Sequence, residues 1–166
     1  VSLHVVITLA GPPRGKGRPR ATVNPRTGFA RVYTDDRTAR YESQLRYAAQ
    51  QEMAGRPPTA QPIRVMVEAR FQPAPSWSAK KQQAALAGHI RPATTPDADN
   101  LLKCLDALNG VAWVDDRQIV DAVIRKVYAE APALVVTIET ITPPALPAAR
   151  GTREPDTADL FAGATA

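Results

Sequence analysis

This chain is poor in the residues that build zinc centres and disulfide frameworks: its 166 residues include one cysteine, Cys104, and two histidines, His4 and His89. One cysteine excludes an intrachain disulfide and suits a reducing cytoplasm. With so few nitrogen and sulfur ligands, a zinc site of the usual type is also excluded. Long hydrophobic runs are missing too. No stretch approaches the ~20 apolar residues that cross a bilayer, and the opening VSLHVVITL has no basic region followed by a cleavage site. No membrane association is expected, and residues 3–10 read as a first strand.

The length suits about one domain with a substantial core. Charge is unevenly distributed along it. Residues 1–46 carry nine Lys and Arg side chains against Asp35, Asp36 and Glu42, whereas residues 93–121 set six aspartates against Lys103 and Arg117 alone. A basic flank beside an acidic pocket suits a polyanion held by its backbone, with metal ions at one phosphate.

The acidic stretch runs from Pro96 to Arg117 and contains five aspartates: Asp97, Asp99, Asp106, Asp115 and Asp116. Carboxylates brought together repel one another unless solvent, basic groups or a cation compensates them. With no histidine or cysteine partner, oxygen-ligated Mg²⁺ or Mn²⁺ is the expected occupant, since Mg²⁺ takes only one or two carboxylates alongside water and substrate phosphate. The competing reading is an N-cap aspartate plus exposed i,i+4 ion pairs, each worth ~0.3–0.5 kcal/mol and without chemistry.

Periodicity places these motifs on elements. The loop GPPRGKGRPR follows the first strand as an extended arm bearing Arg14, Lys16, Arg18 and Arg20, read as a phosphate-backbone contact. A hairpin with its turn at NPRTG adds Arg26 and Arg31. A helix capped by Thr34 or Asp35 presents Tyr41, Leu45, Ala48, Ala49 and Met53 inward and ends at Gly55. IRVMVEARF, residues 63–71, alternates as a strand with one buried face. Residues 78–87 form a helix. In PDADNLLKCLDALNG, Asp97 precedes a helix, Asp99 is its natural N-cap, and Asp99, Lys103 and Asp106 share one face. Leu101, Leu102, Leu105 and Leu108 supply the buried side, with Cys104 as a core residue. Trp113 reads as packing, with base stacking the alternative. Residues 118–128 and 133–141 are two strands expected to pair antiparallel.

The combination of D-x-D-N, a lysine four residues after the second aspartate, D-A-L, and D-D-x-Q-[IV] in PDADNLLKCLDALNG and WVDDRQIVD resembles the signature of RusA-type Holliday junction resolvases. These are endonucleases often carried by phages and prophages, and the resemblance spans roughly residues 3–140. It implies a small α/β domain with a mixed sheet over residues 1–141, acting as a Mg²⁺-dependent homodimer on four-way junctions in DNA recombination and repair, within a bacterial or phage-infected cell. Carried over by position, the family's metal-binding aspartates fall on Asp97, Asp99 and Asp116, and its essential lysine on Lys103. Whether Asp115 is a ligand or a support stays open, because adjacent residues on an extended segment point to opposite faces.

Two other classes compete: a nuclease for other branched DNA such as flaps and forks, and a non-catalytic junction-binding protein. Residues 142–166, rich in Pro, Ala, Thr and Gly, read as a disordered tail. Its Asp159-Leu160-Phe161 resembles the end of a bacterial sliding-clamp-binding peptide. Thr157 and Ala158 stand where the usual glutamine and first leucine would be, and the segment reads as incidental.

Overall fold

A computed structural model describes residues 3–17, 20–23, 25–33 and 35–142. The elements follow in the order β1 (His4–Ala10), β2 (Arg20–Val23), β3 (Ala30–Tyr33), α1 (Asp36–Met53), β4 (Ile63–Phe71), α2 (Ala79–Leu86), α3 (Ala98–Lys103), β5 (Ile119–Tyr128) and β6 (Ala133–Thr140). Short 3-10 turns at Cys104–Leu108 and Asp116–Gln118 carry the chain out of α3 and into β5.

Four strands make one mixed sheet in the order β1-β6-β4-β5, and β2 and β3 pair as a separate antiparallel hairpin. β4 runs antiparallel to β6 and parallel to β5. The expectation that the last two strands would pair is therefore corrected, because β4 lies between them. Burial explains the order. β6 buries Leu134, Val136 and Ile138 completely and takes an interior place. β5 carries Asp121, Arg125 and Lys126 with no fully buried side chain, and such a charged strand belongs at an edge. Skipping one strand asks the connector to span about 10 Å, within reach of four residues.

The alternation read in residues 63–71 is present: Ile63, Val65, Val67 and Ala69 are all 0% exposed. They face Tyr41, Leu45, Ala49 and Met53 of α1 and Leu101, Cys104, Leu105 and Leu108 of the α3 region, which join one core cluster. Helices thus cover one face of the sheet, as a two-layer α/β domain requires.

α1 starts after Asp35, whose side chain makes no capping bond, and stops at Ala54 in the left-handed region (φ 47°), one residue before the expected glycine. The helix in the acidic stretch also differs in detail. Asp97, not Asp99, occupies the N-cap position, with extended φ and ψ of −70° and 156°. Its carbonyl accepts the first helical bond, from Leu101 N–H at 3.1 Å. Asp99 lies inside the first turn. After Lys103 the backbone tightens into a 3-10 turn that keeps Cys104, Leu105 and Leu108 in the core. Arg46 of α1 holds this turn through bonds of 3.2 Å to the carbonyls of Ala107 and Asn109.

Candidate active site

The first turn of α3 leaves the carboxylates of Asp97 and Asp99 exposed to solvent while Leu101 is fully buried beneath them. One turn later Lys103 returns its ammonium to Asp99 Oδ2 at 2.9 Å. That hydrogen bond holds the Asp99 carboxyl below its ordinary pKa of 3.8. Asp106 does not join this face. It is engaged instead by Lys16 of the basic arm, at 2.8 Å.

The arm reaches α3 because small residues let it. A Cβ on Gly15 would lie 2.7 Å from Asn100 Cβ and 2.9 Å from Pro96 Cβ, so only glycine fits the contact. The next amide, Lys16 N–H, donates to Asn100 O at 2.8 Å. Lys16 Nζ then bridges Asp106 and Glu42, the latter at 3.3 Å, and its hydrogen bond to Asp106 raises its pKa above 10.5. The sequence marks Lys16 as a phosphate contact; the structure has it tying the arm to α1 and to the segment after α3. Arg14 is exposed beside it, and Arg26 is exposed in the hairpin turn. Arg18 and the side chains of Arg20 and Arg31 lie outside the described residues, as do Thr34 and Asp159, Leu160 and Phe161.

The second acidic element is built around Gln118. Its amide oxygen accepts from the N–H groups of Val114 and Asp115, and its amide nitrogen donates to the carbonyls of Thr59 and Gln61, all at 2.9 Å. Asp115 forms a capping box with Gln118 and also accepts from Arg117 N–H at 3.0 Å, a bond that lowers its pKa. Asp115 therefore shapes the turn, and the adjacent Asp116 stands exposed at its start. The sequence contains the D-D-x-Q pattern, but the glutamine's role appears only when residues 59–61 arrive beside it. Trp113 is 0% exposed and donates through Nε1 to Asn109 Oδ1 at 2.6 Å, which settles it as packing rather than base stacking.

One positioning contact has no signal in the sequence. Lys126 projects from β5 and donates to the carbonyl of Thr94 and, at 3.1 Å, to that of Pro96, the residue before Asp97. The segment leading into α3 is thus held by Lys126 from the sheet and by Gly15 and Lys16 from the arm.

Asp97 and Asp99 share one helical turn, and Asp115 and Asp116 share another. Among the described residues, no three His, Cys, Asp or Glu side chains gather closely enough to enclose one ion. The donors nonetheless suit Mg²⁺ chemically: they are hard oxygen ligands at the surface, and Mg²⁺ keeps several waters beside one or two carboxylates. Cys104 does not compete, since it is buried and burial raises its thiol to about 12. No helix among the described residues is long and apolar enough to cross a membrane.

Comparison with known proteins agrees with this architecture. A Bacillus subtilis protein described as uncharacterized protein YqaN is 33% identical over 144 residues, covering 83% of this chain and 97% of that protein. The sequence model of the family Endodeoxyribonuclease RusA matches residues 10–139, a span that begins at the end of β1 and includes both acidic turns, the arm and Lys126. The chain belongs to the RusA endodeoxyribonuclease family.

Proposed function

We propose that this chain is a metal-dependent, structure-specific endonuclease of phage type that resolves Holliday junctions by paired, symmetric phosphodiester hydrolysis, acting as a homodimer in DNA recombination and repair. The observation that carries this reading is the exposed Asp97–Asp99 turn, with the Lys103 ammonium 2.9 Å from Asp99, in a chain of an endodeoxyribonuclease family. Asp97, Asp99 and Asp116 are the residues to hold Mg²⁺, for which Mn²⁺ substitutes. The bound ion supplies a lower pKa for attacking water and neutralises phosphate charge.

The chain's own groups do the rest. Hydrolysis forms a bond from water oxygen to phosphorus and breaks the bond to the departing sugar oxygen, which takes up a proton. Lys103 provides a compact positive charge beside the carboxylates, where negative charge grows on the phosphate oxygens. Arg14 and Arg26 are exposed for the DNA backbone, and Arg18, Arg20 and Arg31 extend the same basic run in the sequence. These contacts fix position rather than sequence, which suits recognition of branch shape. Two matched nicks need two acidic sites, and a twofold dimer supplies the second by symmetry.

The test is cleavage of a labelled mobile four-way junction in Mg²⁺ by wild type and Asp99→Asn, beside three-way, flap and linear duplex substrates. Paired symmetric nicks that disappear in Asp99→Asn are expected. Preferred cutting of flaps or forks would transfer the activity to other branched DNA, and tight binding without cutting in Mg²⁺ and Mn²⁺ would leave only a junction-binding protein.

A further inference from the structure

Among the described residues, three lysines have their ammonium groups engaged by protein oxygens: Lys16 by Asp106 and Glu42, Lys103 by Asp99, and Lys126 by the carbonyls of Thr94 and Pro96. Lys80 and Lys81 of α2 are not. Lys81 Nζ stands over the Trp77 ring, 3.9 Å from its centroid, and Lys80 is exposed beside it. The surrounding sequence offers them no carboxylate. Residues 72–96 contain Lys80, Lys81 and Arg91 without a single Asp or Glu, a run that ends at Asp97.

An exposed lysine pair is ordinarily a solvated helix face, but this one is built on a fixed support. The Trp77 ring meets Tyr128 edge-on, with centroids 5.4 Å apart and planes at 67°. Its carbonyl accepts from Gln82 Nε2 at 2.9 Å, and Ser78 caps the helix that follows. A cation–π contact orients an ammonium without neutralising it, so its N–H groups can still donate. At 100° per residue, Lys80 and Lys81 lie to one side of the buried Ala85. Glu130 lines a cleft with Gln82 and Leu86 on the other side.

Placement ties this support to the acidic turn. Tyr128 and Lys126 sit two residues apart on β5, about 7 Å, and share the helix-covered face with their register partners Phe71 and Ala69. Lys126 holds the segment that enters the Asp97–Asp99 turn. From Trp77 to that segment is thus one ring contact, two strand residues and one hydrogen bond, the length of a few nucleotides at about 3.4 Å each.

We infer that Lys80 and Lys81, set against Trp77, form a second phosphate-binding site that grips the DNA strand flanking the scissile phosphate. The inference rests on the nuclease reading above and gives that nuclease a strand contact beyond the basic arm. Lys80 and Lys81 take backbone phosphates, and Trp77 is a positioning residue that holds Lys81 toward them.

Fluorescence anisotropy with a labelled four-way junction tests this in the Asp99→Asn background, from about 50 to 200 mM salt, with circular dichroism confirming that each variant is folded. Lys80→Gln and Lys81→Gln are each expected to weaken binding about three- to tenfold and to lower the slope of log affinity against log salt by about one, as loss of one phosphate contact does. Arg125→Gln removes the same charge from an exposed position on the opposite face of the sheet and is expected to change neither. Trp77→Leu weakens binding, Trp77→Phe recovers most of it, and Trp77→Leu adds little to Lys81→Gln, because the ring acts through the ammonium. Lysine variants that match Arg125→Gln in affinity and slope overturn the site, and so does a Trp77→Leu loss that persists in full beside Lys81→Gln. Junction cleavage by wild type with such indifferent lysines would sink the site and spare the nuclease. Lysine-dependent binding by a chain that cuts no DNA would do the reverse, and a chain that binds no DNA overturns both.

Discussion

Lys16 and Asp106, ninety positions apart in sequence, meet at 2.8 Å and fasten the arm after β1 to the segment after α3. The same ammonium reaches Glu42 of α1 at 3.3 Å, so one side chain joins three parts of the chain around the acidic turn. Its surroundings are only partly open to solvent, with 29% of the Lys16 side chain exposed, and Lys16→Met is expected to cost about 1 kcal/mol. The pKa of Lys16 is raised, so its contribution is complete below the unfolded value and is lost as pH rises through the folded one. Urea melts should show a constant gap between wild type and variant from pH 6 to 9 that narrows above about pH 10.5. A gap unchanged at high pH would contradict this linkage.

Lys103 is expected to matter for turnover more than for grip. Lys103→Ala should lower single-turnover cleavage roughly a hundredfold while junction affinity changes little. Equal losses in both would remove its proposed role at the phosphate. The same variant should let the Asp99 pKa rise toward 3.8, since the lysine hydrogen bond is the leading cause of its depression. In wild type the pair is intact above about pH 4 and is lost only as pH falls through the folded value. Carboxyl-carbon NMR titration reads this directly, and any loss of activity between pH 7 and 5 must arise elsewhere than at Asp99.

Lys126 acts through the backbone that carries Asp97. Lys126→Met is expected to reduce cleavage about tenfold with junction binding preserved, and to weaken Mn²⁺ binding measured by calorimetry. Lys126→Arg should recover part of both, because a guanidinium can still donate to two carbonyls. Loss of junction affinity in step with activity would mean that the lysine touches DNA rather than the segment 94–96.

Gln118 offers a sharper stability test. Gln118→Glu keeps an acceptor for the N–H groups of Val114 and Asp115 but sets a carboxylate oxygen against the carbonyls of Thr59 and Gln61. A destabilisation of about 2–3 kcal/mol is expected in chemical denaturation. Stability equal to wild type would show that this amide contributes little to holding the Asp115–Asp116 turn.

Much of the fold is legible in sequence because local rules govern it. Alternation in IRVMVEARF, the apolar spacing of Tyr41, Leu45, Ala49 and Met53, and the hairpin around NPRTG each depend on neighbours a few residues away. The two acidic turns are legible for the same reason, because their carboxylates lie in one contiguous stretch. Pairing of the last two strands is not local. A short connector allows a hairpin, but β4 lies between the two strands, parallel to β5 and antiparallel to β6, and that partner comes from a distant part of the chain.

The sequence by itself determined the strand and helix inventory and where the carboxylates and the basic residues concentrate, since spacing and side-chain type suffice for these. Tertiary structure alone decided that Lys16 anchors the arm, that Gln118 links two distant loops, that Lys126 holds the approach to Asp97, and that β4 lies between β5 and β6. Each of these depends on a partner 30 or more positions away, or on the order of strands, and chain closure rather than local propensity selects such partners.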